Sequence, residues 1–293
     1  MDYMSIAELV NLADKKGMKI SELVLQEQSV AMEVSQDVLY KKMEEQLDVM
    51  LSAIEKGTSP DIRSTSGLTG GDAYKLFRRS ENGQCLSGPL LANGIRMSMA
   101  VSELNASMGK VVASPTAGSC GILPGAIGSC LEVKNISKET AVMALFTAGA
   151  IGMVVANVAS ISGAAGGCQA ECGTASAMAA GAIVEMMGGE PQMISHAVAI
   201  ALKCILGLVC DPVAGLVEIP CIKRNASGVS LAFTAAELAL ASIISHIPAD
   251  EVILTMKKIG NDMSSSLKET AEGGLACTKT GKLLQEQIFG KKS

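Results

Sequence analysis

The chain has 293 residues, a formal net charge of -5, 48% hydrophobic residues, only 2% aromatic residues and no Trp. The acidic balance excludes a nucleic-acid binder that works through a concentrated basic surface, and no run of like charges marks an interaction tail. With 30 glycines and so few rings, the core must be built from Ala, Leu, Ile, Val and Met, with helices packed closely through small residues.

The N-terminal segment "MDYMSIAELVNLADKK" is amphipathic and mixes acids with bases. It lacks the basic n-region and apolar h-region of a signal peptide, which predicts a cytoplasmic protein. In that compartment the nine cysteines stay reduced. They are then candidates for core filling, metal binding or catalysis rather than for a disulfide framework.

Residues 1–57 read as a helical lead-in to a domain spanning 58–293. Ser5 and Glu8 have capping-box spacing ahead of "LVNLA". Ser21 is placed to open a second helix, and "VLYKKMEEQLDVMLSAIEKG" forms a third that stops at Gly57. From Thr58 to Ala73 the text becomes "TSPDIRSTSGLTGGDA", which is loop chemistry. Its N–H groups and hydroxyls suit a carboxylate or a phosphate, and its composition equally suits a plain linker.

Residues 90–113 read as helix, and "SPTAGSCGILPGAIG" (114–128) as a second Gly-rich turn. No G-x-G-x-x-G follows a clear strand and no P-loop is present, so nucleotide binding gains no support. Between Thr140 and Ala170 there is no charged residue, a length sufficient to cross a bilayer. Its Ala, Gly, Ser and Asn content, and its continuation into a Gly/Cys segment, favour a fully buried helix instead. "ASAMAAGAIVEMMGG" and "ISHAVAIALKCILGLVC" read as further core helices. With no β alternation of any length, the fold class is all-α (mainly α): one compact helical domain with buried Ala/Gly-rich central helices.

The cysteines separate by context. Cys85, Cys120, Cys130 and Cys204 read as small apolar fillers, the last in mid-helix. Cys277 lies in a C-terminal loop and reads as an incidental thiol. Cys168 and Cys172 share a helical face, but there is no second pair, and His196 and His246 sit in apolar surroundings, so structural zinc does not fit. Cys210 and Cys221, in "VCDPVAGLVEIPCIKRN", stand on rigid turns shaped by two prolines. Lys223 and Arg224 follow at once and favour thiolates. Spacing alone leaves a metal or cluster site and core or redox thiols both open.

Five segments resemble the iron–sulfur-dependent L-serine dehydratases: "SGLTGGDA" (66–73), "NASMGKVVASPTAGSCGILPGA" (105–126), "GCQAECGTASAMAA" (167–180), "CDPVAGLVEIPCIKRNA" (210–226) and "KETAEGGLA" (268–276). They run in the family's order and cover the chain from about residue 58. The chain resembles the α subunit of the two-subunit form, which implies a β subunit as partner in a hetero-oligomer and neither nucleic acid nor membrane. The resemblance implies L-serine as substrate and a [4Fe–4S] cluster held by Cys168, Cys210 and Cys221. An open coordination position on the cluster would then act as a Lewis acid on the serine hydroxyl. For the substrate carboxylate, Ser66, Thr69, Gly70, Thr116, Ser119 and Arg224 are the candidates. Whether Cys172 or Cys277 adds a fourth thiol is left open. The general base is unassigned, because in that family the β subunit carries a Ser-His-Thr segment. Two rival readings are a pyridoxal-phosphate dehydratase, which would need an α/β fold, and a non-enzymatic redox-sensing helical protein.

Overall fold

The computed structural model describes residues 3–290. Thirteen α-helices account for the regular structure: α1 (Ile6–Lys16), α2 (Ile20–Met32), α3 (Gln36–Gly57), α4 (Asp72–Glu81), α5 (Pro89–Ala106), α6 (Ile122–Lys134), α7 (Lys138–Val158), α8 (Gly163–Gly166), α9 (Cys168–Met186), α10 (Pro191–Lys203), α11 (Cys221–Leu240), α12 (Ala249–Asp262) and α13 (Lys279–Phe289). Among the described residues there is no strand, only an isolated parallel bridge between Cys210 and Lys268. The all-α expectation holds, and the fold offers no α/β scaffold for the pyridoxal-phosphate alternative.

The three N-terminal helices form as the sequence predicts, with one shift. Ser5 caps α1, its hydroxyl accepting from the Glu8 N–H at 2.9 Å, and Gly17 closes the helix in a left-handed conformation. The second helix opens at Lys19, not at Ser21. The Glu22 carboxylate reaches back to the Lys19 N–H at 3.0 Å, and this acid in the first turn replaces the serine cap. Ser21 is buried inside the helix instead.

The centre of the molecule is α9, every residue of which is buried. It is wrapped by α6, α7, α10 and α11. A helix can be buried on all sides when its side chains are small, because neighbouring axes then approach closely. The charge-free stretch supplies α7, and 67% of its most apolar window lies inside the protein, where α7 packs on α9. Its apolar character is thus spent on the core. α5 forms a second hub, touching α3, α4, α6 and α11. The α3–α5 crossing is so close that a Cβ on Gly57 would stand 2.0 Å from the Ala100 carbonyl oxygen.

Two boundaries differ from expectation. The helix expected over 90–113 ends at Ala106, with Ser107 at its cap and Met108 in the left-handed region. The Gly-rich turn expected over 114–128 is helical from Ile122 on. Pro124 falls in the first turn of α6, where a missing N–H costs nothing. Gly125 is there for packing, since a Cβ on it would meet the Gly94 oxygen at 2.7 Å. Cys204, expected in mid-helix, is exposed at the C-cap of α10.

Candidate metal centre

Four irregular segments gather at one end of α9, and buried side chains pin them together. Cys210 donates its N–H to Leu267 O at 2.8 Å and accepts from the Glu269 N–H at 2.7 Å, which ties the 210–221 segment to the 268–276 segment. Asp211, also buried, takes the Leu275 N–H at 2.7 Å. Asn225 on α11 donates to the Gly118 carbonyl at 2.7 Å and accepts from the Gly121 N–H at 2.9 Å, which fixes the 114–121 turn. Glu218 holds the 64–71 loop through Ser66 and Thr69.

Cys168 is the first residue of α9 and Cys221 the first of α11, and all three expected thiols are buried. The sulfurs of Cys168 and Cys210 and a carboxylate oxygen of Glu171 lie within 4.8 Å of one another. Glu171 follows Cys168 by one helical turn, so the two share a face. Cys221 stands close enough for charge on Cys168 to act on it. Cys168 and Cys210 thus meet, with Glu171, from segments distant in the sequence.

The electrostatics are those of a thiolate site. The Cys168 thiol is held well below its usual range, first by hydrogen bonds from Cys172 and Cys210, and further by the nearby Arg224 guanidinium. Arg224 donates to the Cys168 sulfur at 3.6 Å and to the Val209 carbonyl at 2.9 Å, and it pairs with Asp211 at 2.8 Å. Cys210 is pushed up by its hydrogen bond to Cys168 and then by burial. Cys172 is also pushed up, with the bond to Cys168 as the leading cause. Burial, and then the charge of Cys168, raise Cys221 to about 12. Cys168 thus carries the thiolate character of this group, with Arg224 as its countercharge.

Glu171 is pushed up to about 7, chiefly by burial and then by Cys168 and Glu269; a hydrogen bond from the Thr116 hydroxyl opposes the shift. Gly163 forms the wall opposite. A Cβ there would meet the Cys210 sulfur at 2.9 Å, a Glu171 oxygen at 3.2 Å and a Glu269 oxygen at 3.4 Å.

The other expected residues divide into groups. Thr116 and Ser119 sit at the pocket, their hydroxyls 3.0 Å apart. Ser66 and Thr69 face Glu218 instead. Gly70 holds a φ of 129°, and a Cβ on it would meet the Ile62 carbonyl oxygen at 2.2 Å, so its role is to shape the loop. Arg224 is committed to Cys168 and Asp211. Lys223 turns away to Asp72 at 3.1 Å. Cys277 is exposed, its thiol directed at the Ala271 carbonyl. His196 accepts from the Ser245 N–H at 3.4 Å, and His246 is exposed. Sequence reasoning assigned no role to Asp211, Asn225, Gly163, Glu269 or Glu171. For Glu171 the signal was present: its spacing from Cys168 puts both on one face of α9.

The geometry defines a helical protein in which two buried cysteines and a glutamate stand close enough to hold a metal ion. Comparison with known proteins specifies the family. Residues 15–276 match the family described as serine dehydratase alpha chain. A relative from Bacillus subtilis (strain 168), named probable L-serine dehydratase, alpha chain, is 50% identical over 288 residues, covering 98% of this chain and 96% of the relative. The L-serine dehydratase alpha chain of Peptoniphilus asaccharolyticus is 42% identical over 282 residues, covering 96% and 97%. The L-serine dehydratase of Streptomyces coelicolor is 39% identical over 275 residues, covering 92% of this chain but 59% of that longer protein. The chain belongs to the serine dehydratase alpha chain family, a family of lyases.

Proposed function

We propose that this chain is the catalytic α subunit of an L-serine ammonia-lyase, working in the cytoplasm with a β subunit as a hetero-oligomer. It removes water from L-serine by β-elimination; the aminoacrylate formed rearranges to an imine, and water releases pyruvate and ammonia. The observation that carries this reading is the meeting of Cys168, Cys210 and Glu171 within 4.8 Å. Cys168, Cys210 and Cys221 would hold a [4Fe–4S] cluster. When bound, the cluster supplies a Lewis acid for the serine hydroxyl.

The chain's own residues set the stage for that chemistry. Arg224 stabilises thiolate character at Cys168 and, through Asp211, anchors the 268–276 segment that walls the pocket. Glu171, poised near neutrality, is the group of this chain at the thiols able to hold a proton for the departing hydroxyl. Thr116 orients its carboxyl group. The buried surroundings of α9 keep water away from the thiols. The β subunit is supported by the longer Streptomyces relative, 59% of which this chain covers, which leaves a further region for a separate chain to supply.

The test is anaerobic purification of the chain with its partner, followed by iron, sulfide and pyruvate assays on L-serine. Pyruvate release with iron and sulfide present is expected, and Cys168→Ser, Cys210→Ser and Cys221→Ser should each lower turnover by more than about a thousandfold and reduce bound iron. An iron-free preparation of full activity, or three variants that keep iron and activity, would overturn the proposal.

A further inference from the structure

Between Cys210 and Cys221 lies a carboxylate that the thiol pocket does not use. Glu218 is 4% exposed. Among the described residues it has no cationic partner, and the cations closest to it in sequence or across the loop are committed elsewhere. Lys223 pairs with Asp72, Arg224 pairs with Asp211, and Arg63 donates to the carbonyls of Pro60 and Ile62. A buried carboxylate without a countercharge is costly.

The Ser66 and Thr69 hydroxyls both donate to the same oxygen of Glu218, Oε2, each at 2.8 Å. The Ser66 hydroxyl also accepts from the Leu68 N–H at 3.1 Å and lies 3.1 Å from the Ser64 hydroxyl. A hydroxyl has one proton to give. With those protons on Glu218, neither Ser66 nor Thr69 can donate to a substrate carboxylate. This reverses the role their loop chemistry suggested. Two donors on Oε2 fix the side chain and leave Oε1 as an acceptor with no hydrogen bond from the chain. Glu218 stands three residues before Cys221, and its carbonyl takes the Ile222 N–H at 3.1 Å at the turn that begins α11.

We infer that Glu218 receives the α-ammonium group of the amino-acid substrate, and that Ser66 and Thr69 are positioning residues that aim it. The inference rests on the proposed function, which supplies an amino acid as substrate. It assigns to Glu218 the discrimination between an amino acid and the matching hydroxy acid.

The test compares two ligands on the anaerobic holoenzyme with its partner: L-serine, and 3-hydroxypropanoate, which is serine with hydrogen in place of the ammonium group. Glu218→Gln should raise the KM for serine about tenfold to a hundredfold, the size of a lost charged hydrogen bond. The Ki of 3-hydroxypropanoate as a competitive inhibitor should change less than about threefold, since a ligand without the ammonium group has nothing to lose. Thr69→Val, which leaves the carboxylate charged but frees one of its anchors, should shift the same ratio in the same direction by a smaller factor. Iron content and helical circular dichroism report whether each variant is folded. If Glu218→Gln does not fold, the Thr69→Val ratio decides. Equal weakening of both ligands would make Glu218 a loop clamp and overturn the inference, as would an unchanged ratio. Wild-type holoenzyme that forms no pyruvate from serine sinks the proposed function itself, a result separable from a working wild type whose variants leave the ratio unmoved.

Discussion

The two ends of α9 each bury a glutamate, and the two are satisfied in opposite ways. At the C-terminal end, Glu185 accepts from the Thr147 hydroxyl at 2.6 Å and from the Ser21 N–H at 3.3 Å, so it joins α7 and the first turn of α2 to the core helix. At the N-terminal end, Glu171 has a hydroxyl from Thr116 on one oxygen and faces two sulfurs and a second carboxylate. Burial raises the pKa of both. The lesson lies in the neighbours: an acid met by donors from packed helices is a joint, whereas one met by thiols and another acid is stabilised only by a proton or a ligand.

The largest effect should come from the N-terminal end. Glu171→Gln keeps the shape and removes the charge, and serine turnover should fall by about a hundredfold or more, with bound iron retained. The same variant has a pH signature in the cluster-free chain. The folded carboxyl titrates at about 7 against an ordinary 4.5, so the folded state holds a proton that the unfolded state has lost over that interval. Stability should therefore decline as pH rises from about 4.5 to about 7. Glu171→Gln should flatten this part of the curve in thermal unfolding followed by circular dichroism. A variant of full activity with an unchanged pH profile would reduce Glu171 to a joint like Glu185.

Glu185→Ala should do the reverse. Its loss strands the Thr147 hydroxyl and the Ser21 N–H in the interior, at a cost of about 3 kcal/mol. Denaturant titration should show that loss, while turnover per folded, iron-loaded enzyme stays near wild type. A fall in activity without a fall in stability would erase the contrast between the two ends.

Much of this contrast was legible in the sequence, and the missing part has a physical cause. The charge-free run from Thr140 and the Ala/Gly pattern after Cys168 gave α7 and α9 as core helices, because small apolar residues without charge have no other stable place. The glycines and prolines around Cys210 and Cys221 likewise marked rigid turns. What stayed hidden was pairing across loops. Nothing in "STSGLTGG" shows that its hydroxyls give their protons to Glu218, more than a hundred residues on. Nor does "SGAAGG" show that Gly163 backs the thiols. Local pattern reports which face is buried; it does not report which distant polar group waits on the other side. The Gly-rich stretch 114–128 misled for a related reason. Glycine there serves the close approach of α6 to α5, a tertiary demand that local propensity reads as a turn.

The smallest predicted effect concerns Cys172, the thiol one turn into α9. Its sulfur bonds to Cys168, yet it is Glu171, not Cys172, that joins Cys168 and Cys210 within 4.8 Å. Cys172 is 1% exposed, inside the fully buried α9. Cys172→Ala should leave bound iron unchanged and reduce stability by about 1 kcal/mol, the cost of a small cavity. The loss of its hydrogen bond should also let the Cys168 thiol in the cluster-free chain titrate at higher pH, which thiolate absorbance in the ultraviolet can follow. Iron loss in Cys172→Ala comparable to that in Cys168→Ser would instead make Cys172 a ligand and extend the metal pocket one turn deeper along the core helix.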